Sequence, residues 1–542
     1  MAIKVGGTEV VDNNRQLKNI ASVDSATVTA LGAAGVGGGS SFDATMSGSV
    51  ADGKPMILKT DGTLEAVGES AVALDPPQDS HHVEVVTSQA HAVAYHPVHK
   101  RSVMVFRDLN DSNKVKFGIL NTGDGTSALT ASGFGTTIGS YDCYEVDIAY
   151  DPITENFVAV WRGTNNQGYC VTLSIASSGS TITFGSVQNF TGTSITEPKV
   201  ACGNTSGNSF GNAVIIWKNQ ASPNRGHVIL FNLEPPNRNM VQRTTGYFNN
   251  GATLEIDIGY DPDTDRFLIV YRDNSNSDYG TCKVVEVANN TGVDNSTLTL
   301  GSAVVYDSNR SDDNTLAYDT TANKMVIVWE KNNAVGSGDR IYARVGTITG
   351  GSTNSISFGT AVEVSSSNSF TGTSVLKTIH DPDANKLIVL YRLASPNEYA
   401  RAKTGTVSGT SISFSSNEDS NISLSTNMTR LGVSIAYDTN IKATIYSFTK
   451  SSDNSVFAGK IKTQNIVTNL TSSNYIGIAD AAYTNGQTAT VQTLGAIDDA
   501  QSSLTIGSKY YVQPNGTIGT SAGSPSVEAG LAVSATNLLV KG

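Results

Sequence analysis

Five of the seven histidines fall between positions 81 and 99: His81, His82, His91, His96 and His99. A neutral imidazole carries a free nitrogen lone pair, so such a cluster is the first place to look for a transition-metal site. His96 and His99 flank Pro97 in a turn that would present both rings outward, with His91 just upstream. We take His91, His96 and His99 as candidate binding residues. No Cys or Glu at ligand spacing reinforces them, so exposed turn histidines are the competing reading and no metal or other cofactor is assigned.

Carboxylates are the second candidate group. Asp151, Asp261, Asp319, Asp381 and Asp438 recur at one position of a repeated phrase. A group present in most copies of a repeat usually caps a turn that every copy needs. Asp261, Asp263 and Asp265 imitate the start of a calcium loop, but Arg266 and Arg272 stand where an EF-hand needs Gly and Glu. Arg107, Arg162, Arg272 and Arg392 are expected to pair with carboxylates of neighbouring repeats. Trp161, Trp217 and Trp329 end apolar strands and read as packing rather than sugar platforms. The polar runs 273–278 and 307–313 read as solvated turns. Cys143, Cys170, Cys202 and Cys282 form no CxxC pair and read as buried free thiols. There is no Gly-x-Ser-x-Gly elbow, P-loop or HExxH motif, so the chain is expected not to be an enzyme.

The phrase that carries these residues is Asp-Ile-Ala-Tyr-Asp-Pro, a short turn, an apolar run, then Trp or Tyr and a basic residue. Clear copies begin at Asp147 and Asp257. Weaker ones span Val93 to Arg107, Thr315 to Glu330, Lys377 to Arg392 and Ser434 to Phe448, and a distorted one runs from Val200 to Lys218. The slot held by Tyr95, Tyr150, Tyr260, Tyr318, His380 and Tyr437 recurs every 55 to 62 residues once the distorted copy is counted. A fixed period of that size marks one supersecondary unit, repeated. Each unit reads as four strands, and runs such as Phe267 to Tyr271 suit a strand buried on both faces. Radial repetition of four-stranded units is the propeller solution to exposed sheet edges. The expected fold is all-β: a seven-bladed β-propeller over 77–470, its last blade closed by the first and last strands together.

Composition agrees. Charged residues are 15% and the net charge is −12, which argues against a phosphate-backbone partner because that requires clustered Lys and Arg. No apolar run is long enough to span a bilayer, and the N-terminus lacks the apolar stretch of a secretory signal. Membrane insertion is therefore not expected.

The segments flanking the repeats resemble each other. Gly53 to Leu64 aligns without a gap on Gly507 to Ile518, each an apolar strand running into Asp-Gly or Asn-Gly, a strong hairpin signal associated with type I′ turns. One small β module, 46–76 plus 471–542, would then be split by the inserted propeller. Residues 1–45 read as an attachment arm ending in the Gly-rich linker at 32–41, which needs a partner because it cannot form a core alone.

The opening Ile3-Lys4-Val5-Gly6-Gly7-Thr8, with Val11-Asp12, Arg15, Leu17 and Asn19-Ile20, resembles the start of tail-fibre and other virion structural proteins of bacteriophages, marine ones especially. The closing phrases Tyr475-Ile476-Gly477-Ile478, Gly507 to Val512 and Ala529 to Gly542 are similar to the end domain of such proteins. The resemblance covers about 150 residues of the ends and leaves the propeller out. It implies a virion component made in a host cytoplasm, joined to other virion proteins through the arm and assembled as a homo-oligomer, a trimer by similarity. The expected function is host adsorption, as a tail fibre or receptor-binding protein whose Ser-, Asn-, Thr- and Tyr-rich loops contact surface glycans or proteins. The alternatives are a capsid or tail decoration protein with an architectural role and, third, a glycan-degrading tailspike.

Overall fold

The computed structural model of the chain describes residues 3–5, 8–11, 41–122, 129–179, 181–203, 210–234, 239–289, 296–332, 339–351, 354–370, 375–392, 400–417 and 428–541. Among them every regular element is a β-strand, and no helix is long and apolar enough to cross a membrane. The chain divides into two compact units, 73–465 and a second made of 1–72 with 466–542.

In the larger unit each copy of the phrase opens an antiparallel sheet. Its first strand pairs with the apolar run, which pairs with a third strand. In the second repeat, Glu145–Asp151, Asn156–Arg162 and Gly168–Ile175 lie side by side. The seven first strands, His91–His96, Glu145–Asp151, Ile195–Gly203, Thr253–Asp261, Val304–Asp319, Leu376–Asp381 and Met428–Asp438, touch in sequence, and the last touches the first. A closed ring of first strands with a sheet running outward from each is a β-propeller. The seventh repeat takes its fourth strand from Glu69–Thr87, at the other end of the unit, so chain ends are paired within one sheet.

Burial follows position. The second strands are apolar and buried on both faces, as in Arg266–Asp273 and Lys324–Asn332, because neighbouring sheets cover them. First strands alternate, as in Glu145–Asp151. The expected fourth strand is two short segments in the second, fourth and fifth repeats. Ile182–Phe184 and Gln188–Thr191, for example, pair with different stretches of one third strand. The 307–313 run is not a solvated turn. It lies within the strand Val304–Asp319, where alternate side chains reach the sheet.

The smaller unit holds two five-stranded sheets. In one, Pro55–Leu58 from the first segment pairs with Tyr475–Ala479 from the last. Ser41–Thr45 pairs with Thr488–Gln492 in the same sheet, so the strand at 41–45 belongs to this module and not to the arm. Of the arm, Ile3–Val5 and Thr8–Val11 form a hairpin; nearly all of the proposed linker lies outside the described residues. The two aligned hairpins match bond for bond. Lys59 N–H donates to Thr63 O (2.9 Å) and Gln513 N–H to Thr517 O (2.8 Å), while Asp61 and Asn515 each accept from the Thr two residues on. Gly62 and Gly516 have φ of 83° and 77°, but Asp61 and Asn515 are not left-handed. These are therefore not type I′ turns. They are turns whose left-handed Gly follows the two central residues, the type I plus bulge pattern.

Candidate functional site

The histidines do not form one site. His91 and His96 open and close the strand His91–His96, so five residues at about 3.3 Å each keep them roughly 16 Å apart. His96 is fully buried and occupies the turn-aspartate slot. Its Nδ1 accepts the His99 N–H at 3.2 Å, the work the aspartate does in other repeats. Its ring lies 4.3 Å from that of His99 and 4.7 Å from that of Tyr150. Burial pushes its pKa down to about 4, helped by the nearby His99 charge. His91, also buried, faces Thr449 and is pushed down to about 4 by burial. His81 and His82 lie in the strand Glu69–Thr87, and their side chains fall outside the described set. Among the described residues no group of three His, Cys, Asp or Glu is placed to hold a metal.

The turn aspartates do cap turns. Asp261 accepts the N–H groups of Asp263 and Thr264 at 2.9 and 3.2 Å, Asp319 those of Thr321 and Ala322, Asp381 those of Asp383 and Ala384, and Asp438 those of Asn440 and Ile441. Asp151 accepts from Thr154 N–H at 3.0 Å and from its hydroxyl. Each loop closes on a left-handed residue four positions later: Glu155, Asp265, Asn323, Asn385 or Lys442. The preceding slot ties repeats together. Tyr437 donates to Asp383 at 2.8 Å, and His380 Nε2 stands 3.2 Å from Asp319.

The arginine expectation holds in part. Arg272 pairs with Asp312 of the next repeat. Arg162 instead pairs at 3.2 Å with Glu145 of its own sheet, because register places Glu145 directly opposite Arg162. The three tryptophans are buried. Cys143, Cys170 and Cys282 are buried free thiols, and Cys202 is half-buried.

Among the described residues, polar side chains gather around open space in a central cavity and in an outer groove. The cavity, of about 210 Å³, is lined by residues of all seven first strands, among them Asp147, Glu197, Lys199, Glu255, Asp257, Asp313 and Lys377. Bulges in three of these strands set Glu197, Glu255 and Asp313 in the left-handed region, at φ of 55°, 50° and 46°. The carboxylates satisfy the ring itself. Glu145 accepts the Glu197 N–H at 2.8 Å, Asp147 the Val200 N–H at 3.0 Å, and Glu197 the Ile256 N–H at 3.4 Å. Edge N–H groups of one repeat are thus bonded by side chains of the one before. Lys218 pairs with Glu197 at 2.8 Å. Burial alone would lower Lys199, but the charges of Asp147, Asp257, Glu197 and Glu145 together outweigh it and the net shift is upward. Lys377 is lowered, first by the Lys199 charge and then by burial. Burial raises Asp147, opposed by Lys199.

The second place is a groove of about 510 Å³ centred on the fifth repeat, with one wall from residues 306–308, beside the third strand of the fourth repeat, and a rim from the sixth. Its base is Trp329, fully buried and in T-shaped contact with Tyr306 at 5.2 Å. Tyr342 sits opposite Trp329 in register, and the two rings stack at 6.1 Å. Alternation along the strand puts Arg344 on the same face as Tyr342. Its guanidinium lies 5.2 Å above the Phe358 ring, and the Lys331 ammonium lies 5.2 Å above Tyr342. Asp307 accepts the Trp329 indole N–H at 2.8 Å. Tyr342 and Phe358 remain partly exposed, so half-buried aromatic faces stand beside charged groups.

Sequence reasoning missed this groove. A usable signal was present: Trp329-Glu330-Lys331 departs from the Trp-Arg-Gly of the second repeat, and Tyr342-x-Arg344 places an aromatic and a cation on one strand face.

No protein-family model and no curated protein matches the sequence. Solved structures do. The chain is similar to the BP39L lectin from Burkholderia pseudomallei, at 8% identity and a TM-score of 0.48, over 75% of this chain and 99% of that one. A putative 6-phosphogluconolactonase from Bacteroides fragilis matches at 12% identity and a TM-score of 0.41, over 61% and 84%. The lectin of Aleuria aurantia, solved with α-methyl-L-fucoside, matches at 10% identity and a TM-score of 0.35, over 64% and 96%. At such identities the ligands of those proteins do not transfer to this chain.

Proposed function

We propose that this chain is a carbohydrate-binding adsorption protein of a bacteriophage particle. In this reading a seven-bladed propeller is the binding head, the split β module is its pedestal, and the N-terminal arm joins it to other virion proteins in a homotrimer. The observation that carries the binding role is the groove of the fifth blade. Its volume falls within the roughly 300–1,000 Å³ usual for ligand pockets. Its walls combine partly exposed aromatic rings with charged groups beside them. The C–H face of a pyranose packs on such a ring, and its polar substituents reach the neighbouring donors. The virion assignment rests on the sequence resemblance of the two ends.

The central cavity favours a second reading, glycan cleavage, because Asp147 is raised by burial and feels the charge of Asp257. Paired carboxylates with separated protonation states are what glycosidases use. The cavity's size supports the binding reading instead: at about 210 Å³ it is below the usual range for a bound ligand, and its carboxylates already bond the ring. In our reading the propeller binds a glycan without cutting it.

A glycan array probed with the purified full chain tests the binding role. Saturable binding to at least one surface polysaccharide, abolished by Tyr342→Ala in a protein of unchanged circular dichroism, is the expected result. Adsorption competition tests the virion role: protein added to host cells before the phage should slow the loss of free virus. A chain that binds no glycan and leaves adsorption unchanged returns the molecule to the decoration reading.

A further inference from the structure

We propose that the fifth-blade groove selects an acidic sugar, a hexuronate whose carboxylate sits between Lys331 and Arg344 while its ring lies on Tyr342. The inference rests on the carbohydrate-binding reading and narrows it.

Donors and acceptors in the groove are unequally spent. Asp307 is the carboxylate of the groove, and its oxygens are already engaged. One accepts the Trp329 indole N–H, and the other accepts both the backbone and the side-chain N–H of Asn309, at 3.1 and 2.8 Å. Arg344 donates through Nε to the Gly359 carbonyl at 2.7 Å and through one terminal nitrogen to the Tyr306 carbonyl. Those bonds fix the plane of the guanidinium and leave its other terminal nitrogen as a donor. Lys331 stands 3.8 Å from Asp307, beyond hydrogen-bond reach, with its ammonium over Tyr342. The strong capacity left in the groove is therefore donor capacity, on two cations.

A neutral sugar presents hydroxyls that need acceptors as well as donors. A carboxylate needs donors alone, and charge-assisted bonds to it are the strong ones. Lys331 and Arg344 against Asp307 leave the groove at +1, on a chain of net charge −12. Such a local reversal favours an anion at one place on a surface that otherwise repels it.

Comparison among blades isolates the feature. Trp161 stacks on Tyr169 at 5.7 Å and Trp217 on His227 at 5.1 Å, the same second-to-third-strand pair as Trp329 and Tyr342. Two residues further along the third strand, where the fifth blade has Arg344, those blades carry buried Val171 and Ile229. The aromatic pair is thus a shared packing device. Lys283 and Lys403 hold the Arg344 position in the fourth and sixth blades, and Lys450 holds the Lys331 position in the seventh, but among the described residues the fifth blade alone sets both cations beside a stacked Trp–Tyr pair.

The test uses the full chain with oligogalacturonate, oligomannuronate and oligoglucuronate, each beside its methyl ester, which keeps the ring and removes the charge. At least one acid form should bind tenfold or more tightly than its ester. Lys331→Gln should remove most of that preference at unchanged melting temperature, and Lys331→Arg should restore it. Esters that bind as well as acids, or a preference untouched by Lys331→Gln, overturn the acidic-sugar inference while leaving carbohydrate binding in place. Failure of acids, esters and a neutral glycan array alike overturns the underlying reading as well.

Discussion

In the central cavity Lys199 shares its walls with Asp147, Asp257 and Glu197, which together with Glu145 hold its proton against burial. In the fifth-blade groove Lys331 lies over an aromatic ring, 3.8 Å from a carboxylate already bonded elsewhere. Both lysines line open space, yet their surroundings differ in what remains unspent. Around the cavity, carboxylates of one repeat bond the edge N–H groups of the next, so charge there closes the ring. In the groove Arg344 gives two of its nitrogens to the Gly359 and Tyr306 carbonyls and keeps one as a donor, while the Lys331 ammonium stands 3.8 Å from Asp307. Charge whose partners are structural marks architecture; donor capacity left over is what the proposed ligand would use.

The comparison breaks most visibly at Lys199. Lys199→Met keeps the apolar stem and removes the cation, leaving Asp147 and Asp257 facing each other across a small cavity. Removing one partner from a buried ionic network costs about 3–5 kcal/mol. Chemical unfolding should show a loss of that size, and any Lys199→Met protein that folds should bind glycan as before. An unchanged unfolding midpoint would mean that water in the cavity screens these charges.

Acid attacks the same ring through its histidines. His91 and His96 have pKa values lowered from 6.5 to about 4 in the folded chain, chiefly by burial. Between those values the unfolded chain binds protons that the folded chain refuses. The stability is complete above pH 6.5, falls as pH drops toward 4, and loses nothing more from these groups below that. For each imidazole the loss corresponds to roughly 3 kcal/mol. Melting temperature followed from pH 7 to pH 4 should fall, and His91→Gln should flatten the curve.

A turn aspartate sits between the two regions in consequence. Asp261→Ala strips the cap from the Asp263 and Thr264 N–H groups at a buried position. The expected cost is about 1–2 kcal/mol, read from the shift in unfolding midpoint at constant slope. Sequence alone exposed this device, because its bonds run to residues two and three positions ahead and need no tertiary information. The period, the hairpins of the module and the closing strand were legible for related reasons: each rests on local spacing or on the need to pair an edge.

What was illegible depended on contacts distant in sequence. The groove draws on Asp307, Trp329, Lys331, Tyr342 and Phe358, from four successive segments, with a rim at Thr410. The 307–313 run looked like a solvated turn because it is polar, yet in the folded chain Asp312 meets Arg272 and Asp307 meets Trp329. His96 looked like a ligand by composition. Its position in the turn-aspartate slot, visible once the repeats are aligned, gives the plainer role.

The smallest effect on stability is the sharpest test of the contrast, because it repeats the first substitution at the other lysine. Lys331→Met again removes a cation and keeps the stem, but here no backbone group and no unpaired carboxylate depends on the ammonium. Asp307 retains its bonds to Trp329 and Asn309. What is lost is a half-exposed contact with the Tyr342 ring, about 0.5–1 kcal/mol at such sites, and the methionine stem recovers part of it by packing on that ring. The unfolding midpoint should therefore move by less than about 0.5 kcal/mol, while glycan affinity falls at least tenfold. Equal destabilisation by Lys199→Met and Lys331→Met would erase the distinction between the two regions, because it would make the groove cation as structural as the one in the ring.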